Sequence, residues 1–404
     1  MSVAEAIWAT YACIACLYWA WLTIGVFLVR ARVARLDSLV PPEPNAWPRL
    51  SVLVPARNEA DTIESAATTL SQQDYPSLEI LLINDRSEDE TGSIMDRVAA
   101  ANPRIRAIHV TDLPEGWLGK VHALDRGCAE ADGQWLLLTD ADVHFEPGAL
   151  RRVIAWSMHR RLDHLAAAPD IWSSGFFLDA AVSAFLRSFC VGMRLWAVED
   201  PHSGAYIGVG AFNLLRREAF ERTAGFEWLR LEVADDVGVG LLMKQSGTRC
   251  GAVNAVGQIG LHWYPSLAKM LVGAEKAFAS LGGCSVWRMC VFGCVGTLLD
   301  LSPWLTLLAA IWFHSAVLTT LSGLMILGHV VSAVAINRWA GRKLLPGLLA
   351  PVMIPFALVA LLRTTWLGWR RGGVAWRNTI YPSHLLRAGK RVWIGRRAKP
   401  SQAG

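Results

Sequence analysis

The chain has 404 residues, 53% of them apolar, and a positive mean hydropathy of +0.31. This composition predicts a catalytic domain joined to membrane segments. The formal charge of +5 comes from residues 363–404, which hold ten Lys or Arg and no acid, so removing those ten charges leaves −5 for the rest of the chain. A basic tail beside apolar segments favours anionic lipid over nucleic acid as a partner. The eight scattered cysteines predict neither a zinc site nor a disulfide framework.

The amino-terminal segment is predicted to be a membrane anchor. Residues 6–29 carry no charge, which is long enough to span a bilayer. Glu5 precedes this run and three arginines follow it from Arg30 onward, which is the reverse of a signal peptide. We therefore expect residues 1–30 to be a transmembrane anchor with its amino end outside, followed by a proline-rich linker over residues 31–48.

The chain after the linker alternates between strand and helix patterns. Buried strands and amphipathic helices in alternation are typical of a doubly wound sheet. In chain order the sequence predicts a strand at 50–55, a helix at 61–73, a strand at 78–85, a helix after it, a strand at 105–110, a helix at 121–131 and a strand at 135–138.

The central strand ends in two carboxylates. Four large apolar residues, 135–138, are followed by Asp140 and Asp142. In an open α/β sheet, ligands bind at the carboxyl ends of the strands, and paired carboxylates there suit Mg²⁺ or Mn²⁺. Taken alone, the same pair is also compatible with a solvated acidic turn.

Three further stretches carry candidate chemistry, each with a plainer alternative. Residues 116–120 combine two glycines with Lys120, which suits phosphate, although a surface turn has the same composition. Residues 207–213 contain small residues that leave backbone room for an acceptor or a sugar. Asp235 and Asp236 begin a helix that extends to about residue 245, where acids also favour the helix dipole.

A helix over residues 176–197 is predicted between these stretches. Its only charged residues are Asp179, Arg187 and Arg194, which fall on one side of the helix. Two interpretations stay open: the helix lies in the membrane interface, or it packs on the sheet with one wet stripe.

The motifs together resemble those of the family 2 glycosyltransferases over roughly residues 49–282. The resemblance rests on Val54-Pro55-Ala56-Arg57-Asn58-Glu59, Asp85, Asp140-Ala141-Asp142 and Asp235-Asp236, in that order. It implies the GT-A fold, a doubly wound mixed sheet with flanking helices, and inversion at the anomeric carbon of a nucleotide sugar, expected to be a UDP-sugar.

The resemblance also implies roles for individual residues. Glu59 and Asp85, with Pro55 and Arg57, are expected at the nucleoside. Asp140 and Asp142 are expected at the ribose, the diphosphate and a Mn²⁺ or Mg²⁺ ion, with Lys120 assisting at the phosphates. Asp236 is expected to be the catalytic base, with Asp235 beside it.

Two later features narrow the resemblance. Residues 116–120 and 376–381 look like those of membrane members that act on hopanoid, carotenoid or sphingolipid-like acceptors, although Asn378 and Thr379 replace the expected glycine and arginine, which leaves the roles of Arg377 and Tyr381 undetermined. The Gln-x-x-Arg-Trp motif of processive members is missing. Single transfer is therefore expected, with a polysaccharide synthase and a non-catalytic membrane scaffold as alternatives.

The carboxyl-terminal third is predicted to be a membrane region over residues 283–366 followed by a basic cytoplasmic tail over 367–404. A pair of helices at 289–312 and 315–337 fits the long uncharged run there. The last apolar run, 344–362, would place the tail outside if it crossed once, so either an in-plane or re-entrant helix or one more crossing upstream is required. The whole arrangement predicts a multi-pass inner-membrane protein whose catalytic domain, residues 49–282, is cytoplasmic.

Overall fold

A computed structural model describes residues 2–281, 283, 285–376, 379–393 and 398. It confirms the alternating strands and helices of the predicted doubly wound sheet. The strands are β1 (Leu50–Ala56), β2 (Leu78–Asp85), β3 (Ile105–Val110), β4 (Trp135–Leu138), β5 (His144–Phe145), β6 (His164–Ile171), β7 (Asn213–Arg216), β8 (Cys250–Leu261), β9 (Gly373–Trp376) and β10 (Thr379–Pro382). The helices are α1 (Val3–Arg32), α2 (Ile63–Ser71), α3 (Thr91–Ala101), α4 (Gly119–Glu130), α5 (Ala149–Arg160), α6 (Phe176–Gly192), α7 (Arg217–Glu221), α8 (Gly225–Leu229), α9 (Asp235–Gln245), α10 (Leu267–Leu281), α11 (Val286–Phe313), α12 (Ala316–Trp339), α13 (Leu344–Leu348), α14 (Ile354–Arg371) and α15 (Ser383–Gly389).

Eight strands form one mixed sheet in the order β3-β2-β1-β4-β7-β6-β8-β5. Strands β1 to β4 are parallel, β7 is antiparallel to both neighbours, and β6 and β8 are parallel to each other. Every residue of β1 and β2 is buried, because helices cover both faces of the sheet. The carboxyl ends of β1, β2, β4, β6 and β8 therefore lie along one edge, where the acidic motifs converge.

Five of the described helical segments are long and apolar enough to cross a membrane, at 3–32, 176–197, 287–313, 316–339 and 350–371. The predicted pair in the carboxyl-terminal third is confirmed as α11 and α12, and both pack against α1. Tyr18 of α1 donates a hydrogen bond to Asp300 of α11 over 2.9 Å, so these two polar groups inside the bundle are paired.

Helix α6 does not face water with its charged stripe, so that interpretation is wrong. Asp179 and Arg187 are 5% and 4% exposed, and they bind Arg342 and His329 respectively. The exposed residues of α6 are instead aromatic, among them Phe177 at 52%. Because β6 before it and β7 after it are neighbours in one sheet, α6 begins and ends on the same side of any membrane.

The last apolar run, residues 344–362, is not one continuous helix. It is divided into α13, a short 3₁₀ turn at Ala350–Met353 and α14, because prolines interrupt the helical hydrogen bonds. Arg342, before the run, binds the main-chain carbonyl of Ile171 in the sheet, and Arg371, at its end, binds Glu275 of α10. The chain therefore contacts the sheet domain before and after this run, which fits an in-plane or re-entrant segment rather than a single crossing.

Candidate active site

Lysine 120 lies at the centre of the acidic edge. It is only 8% exposed at the start of α4, and its ammonium Nζ lies 2.5 Å from Asp140 Oδ1 and 3.4 Å from Asp235 Oδ2. Burial alone would lower the pKa of Lys120, but Asp140, Asp235 and Asp236 raise it more, so the residue stays charged. The structure thus brings together residues from three predicted motifs around one cation.

The two acids that begin α9 have opposite electrostatic surroundings. Asp235 lies between Lys120 and Lys276, whose Nζ is 3.3 Å from Asp235 Oδ1. Burial alone would raise the pKa of Asp235, but the two lysines outweigh burial and hold it below its usual value. For Asp236, burial raises the pKa and the charge of Asp235 adds to the rise. Asp235 is therefore suited to remain ionised, whereas Asp236 is suited to take up a proton.

Asp236 is fixed by the backbone. Its Oδ2 accepts a hydrogen bond from the Gly210 N–H at 3.0 Å, and its Oδ1 accepts one from the Val237 N–H at 2.9 Å. A Cβ at Gly210 would lie 2.6 Å from Asp140 Oδ2 and 3.5 Å from Asp236 Oδ2. Glycine leaves the space beside its Cα free, so both carboxylates can approach this residue. The small residues predicted to leave room for a ligand thus also leave room for the acids.

The residues at the end of β4 are suited to a divalent cation. Burial raises the pKa of Asp142 to about 7, and the charges of Asp140 and Glu59 add to the rise. A cation would relieve this repulsion, and carboxylate oxygens are ligands of Mg²⁺ and Mn²⁺. Among the described residues no cluster of three or more ligating side chains is already assembled. Mg²⁺ commonly takes only one or two carboxylates and completes its shell with phosphate and water, so Asp140 and Asp142 are a fitting donor set.

The predicted nucleoside end is formed by β2 and the start of α4. Asp85 is fully buried, and its Oδ1 binds Arg86, a residue with a left-handed φ of 54°. Oδ2 of Asp85 is buried without a hydrogen-bond partner, whereas Nη2 of Arg86 lies 2.8 Å from Asp85 Oδ1. Gly119 of α4 lies directly against both groups. A buried carboxylate with an unused oxygen can accept a hydrogen bond from a polar base or ribose.

The remaining predicted donor residues lie at and after the end of β1. Pro55 lines a small cavity together with Lys120 and Asp236. Glu59 accepts a hydrogen bond from the Thr62 hydroxyl at 3.2 Å, while Arg57 lies 3.7 Å from the exposed Glu88. Pro55 and Glu59 are therefore close to the acidic edge. The Arg57 side chain is only 10% exposed, and its Nε is buried without a hydrogen-bond partner.

Three residues of the site were missed in the sequence. Lys276 lies on α10, where an amphipathic pattern gives no sign that one lysine contacts Asp235. Arg86 follows a predicted strand but carries no motif of its own, and Gly210 was noted without its partner acids. Each of these contacts joins residues at least 26 positions apart or depends on a left-handed backbone, so only the fold reveals it. Of the later predicted residues, Tyr381 packs at the edge of the core in β10, and Arg377 lies outside the described residues.

Comparison with known proteins agrees with this geometry. The structure matches that of the mannosyltransferase PcManGT from Pyrobaculum calidifontis, solved with GDP-Man and Mn²⁺, with a TM-score of 0.52 and 19% identity, over 89% of this chain and 99% of that one. The fold is therefore the GT-A fold. Residues 51–223 match the model described as Glycosyl transferase family 2, so the chain contains a family 2 glycosyltransferase domain.

Two curated relatives match over shorter stretches. The chain is 36% identical over 97 residues to the "Probable glycosyltransferase YdaM" of Bacillus subtilis, which is 24% of this chain and 23% of that protein. It is 24% identical over 193 residues to 4,4'-diaponeurosporenoate glycosyltransferase of Staphylococcus aureus, which is 47% of this chain and 50% of that protein. The chain thus spans half or less of the length of these relatives.

Proposed function

We propose that the protein is an inverting, non-processive glycosyltransferase that moves one sugar from a nucleotide sugar to a membrane lipid. The observation that carries the proposal is the pairing of a proton-accepting Asp236 with Asp140 across Gly210. A base and a donor-side acid this close place an acceptor hydroxyl and the anomeric carbon in one small space.

Deprotonation of the acceptor is assigned to Asp236. The acceptor hydroxyl loses its proton as it attacks the anomeric carbon, and general base catalysis of this kind typically gives 10²- to 10⁴-fold. The two backbone N–H groups orient the carboxylate, while its raised pKa makes it a stronger base. Asp235 is a weaker base than Asp236, because Lys120 and Lys276 hold its pKa below the usual value. It holds those lysines in place instead.

The donor side is assigned to Lys120, Asp140 and Asp142. A divalent cation bound at Asp140 and Asp142 would neutralise the charge of the departing nucleoside diphosphate. Lys120 is within reach of Asp140 already, so it adds a fixed positive charge beside the diphosphate. Asp85, oriented by Arg86, would hold the nucleoside through its unpartnered Oδ2.

A lipid acceptor is supported by the exposed aromatic surfaces of two helices. Helix α6 exposes Phe176 and Phe177, and α14 exposes Trp366 and Trp369. These aromatic faces suit a membrane interface. One relative is named for 4,4'-diaponeurosporenoate, a carotenoid acid, which fits acceptors of the hopanoid, carotenoid or sphingolipid-like class.

Single transfer is supported by the position of the one Arg-Trp pair after Asp236. Arg338 and Trp339 end α12, and the Trp339 carbonyl accepts a hydrogen bond from Asn254 of β8. The pair therefore helps to fix α12 on the sheet. A polysaccharide synthase would need an equivalent pair to grip a growing chain.

The proposed orientation follows from the charges of the anchor. Arginines at the carboxyl end of α1 support an orientation in which the sheet domain faces the cytoplasm at the inner membrane. Helices α1, α11 and α12 would cross, and α6 and α14 would lie at the interface.

The test is transfer by the full-length protein in lipid nanodiscs. Labelled UDP- and GDP-sugars are each supplied with Mn²⁺ and a bacterial lipid extract, and products are separated by mass. We expect one donor to give a lipid that is heavier by a single sugar, with an inverted anomeric configuration by NMR. A ladder of products would favour a synthase, and no product from any donor would contradict the proposal.

A further inference from the structure

The basic tail does not simply leave the protein after α15. Residues 389–393 and 398, which we call the carboxyl-terminal strap, pack on the sheet domain beside α9. The N–H groups of Arg391 and Val392 donate to Glu232 Oε2 at 2.6 and 2.9 Å, and Lys390 Nζ lies 3.8 Å from Glu232 Oε1. Glu232 lies four positions before the proposed base, Asp236.

Glu232 joins two distant segments. It is only 1% exposed, and its Oε1 accepts a hydrogen bond from the Ala234 N–H at 3.0 Å in the turn that begins α9. Its Oε2 accepts both N–H groups from the strap. Because a buried carboxylate requires such partners, removing the strap would leave half of this carboxylate unsatisfied directly beside α9.

A second contact holds the other side of α9. Tyr206 donates its hydroxyl to the Trp393 carbonyl at 3.3 Å, and the Ala398 N–H donates to the Gly204 carbonyl at 3.0 Å. This segment continues into Gly208, where there is no room for a Cβ beside the Asp236 carbonyl. The strap therefore contacts both segments that flank the helix of the proposed base.

The turn before α9 also contacts the segment that precedes Lys120. The Leu118 N–H donates to the Arg230 carbonyl at 2.7 Å, two residues before Lys120. Arg391 of the strap donates from Nε to the Trp228 carbonyl at 3.2 Å, and its guanidinium lies 5.0 Å from the Trp228 ring. Residues 228–232 thus lie between the strap and the segment that carries Lys120.

We propose that the carboxyl-terminal strap is a positioning element of the active site, which holds Asp236 and Lys120 in their working arrangement through Glu232. The proposal rests on the proposed function for its effect on turnover. Its geometric content is separate, since it requires that the strap restrain the start of α9 whatever the reaction. The strap residues act through Glu232 rather than by touching substrate.

The test compares full-length protein with a chain that ends at Gly389 and with Glu232→Gln, in which an amide replaces one acceptor oxygen. Two controls retain residues 389–393 and 398: a chain that ends at Ala398, and Arg396→Gln with Arg397→Gln, which lowers the charge of the tail by two. Turnover, donor affinity by calorimetry and hydrogen exchange of the α9 amides are measured for each.

We expect the chain that ends at Gly389 and Glu232→Gln each to lose about 10- to 100-fold in kcat, because small misplacements of catalytic groups cause losses of this size. Donor affinity should change by less than about twofold. The α9 amides should exchange faster in both, and a peptide of residues 389–398 should restore turnover to the shortened chain. The two controls should match wild type.

Unchanged exchange at α9 in Glu232→Gln would overturn the proposal, as would equal loss of turnover in the charge-only control. A chain that ends at Gly389 and does not fold leaves the decision to Glu232→Gln. If wild type transfers no sugar at all, the proposed function fails, and the exchange comparison still decides whether the strap restrains α9.

Discussion

Asp236→Asn separates a catalytic base from a structural acid. The amide keeps the size of the side chain and one acceptor oxygen for either the Gly210 or the Val237 N–H. One of those two hydrogen bonds is lost, at a cost of about 1–2 kcal/mol. Removing a buried charge offsets part of this cost, because burial and Asp235 disfavour the ionised form of Asp236. The variant should therefore fold.

The effect on turnover should be much larger than the effect on stability. An amide cannot accept the proton of the acceptor, so the rate should fall by 10²- to 10⁴-fold, which corresponds to about 3–5 kcal/mol of barrier. Donor affinity should change little, because the donor is assigned to Asp85, Asp140 and the bound cation. Asp235→Asn is the matched control, and it should reduce turnover less because Asp235 is assigned to hold Lys120.

The assay combines donor affinity by calorimetry with single-turnover transfer to a lipid extract. Wild-type turnover in Asp236→Asn would refute the assigned base. Loss of donor binding together with activity would show that Asp236 supports the site structurally instead.

Further predictions concern the cation, the buried ion pair and the topology. Asp142→Ala should abolish Mn²⁺-dependent binding of a nucleoside diphosphate, and full wild-type activity in EDTA would contradict the metal site. Without metal, the pKa of Asp142 is about 7 in the folded protein and near 4 in the unfolded chain. The contribution of this group to stability is therefore fully present below about pH 4 and is lost as the pH rises through about 7. Asp142→Asn should therefore raise the melting temperature more at pH 8 than at pH 5, and an equal effect at both would contradict this. Arg342→Gln should cost about 3–5 kcal/mol by leaving Asp179 buried and unpaired, whereas the exposed Arg338→Gln should cost at most about 0.5 kcal/mol in the same melting experiment. Reporters inserted near Pro44 and fused at the carboxyl terminus should both read cytoplasmic, and a periplasmic signal from the latter would contradict the in-plane assignment of α14.

Local patterns were sufficient to predict most of the sheet domain. Apolar runs ending in Asp85 and Asp140 marked buried parallel strands, because strands covered on both faces carry few polar residues. The start of α9 at Asp235 and the stop at Gly247, with its φ of 73°, also followed from helix capping patterns. The convergence of these acids at one edge was predictable from the common direction of parallel strands.

Long-range pairing explains what the sequence did not reveal. The sequence left two interpretations of the charged stripe on α6 open, because nothing local shows that Asp179 meets Arg342, 163 residues later. The Glu232 contact with the strap joins residues 159 positions apart. Such pairs depend on how α12 and the tail return to the sheet, so the periodicity of one helix cannot reveal them.

The most direct test of the central claim is the lipid content of a deletion strain. Lipids are extracted from wild type, from the deletion strain and from the deletion strain carrying either wild-type protein or Asp236→Asn, and they are compared by mass spectrometry. We predict that one glycolipid bearing a single sugar disappears on deletion, while its unglycosylated acceptor accumulates. Wild-type protein should restore it and Asp236→Asn should not. Identical lipids in all four strains, or restoration by Asp236→Asn, would contradict the claim that this protein glycosylates a membrane lipid through that residue.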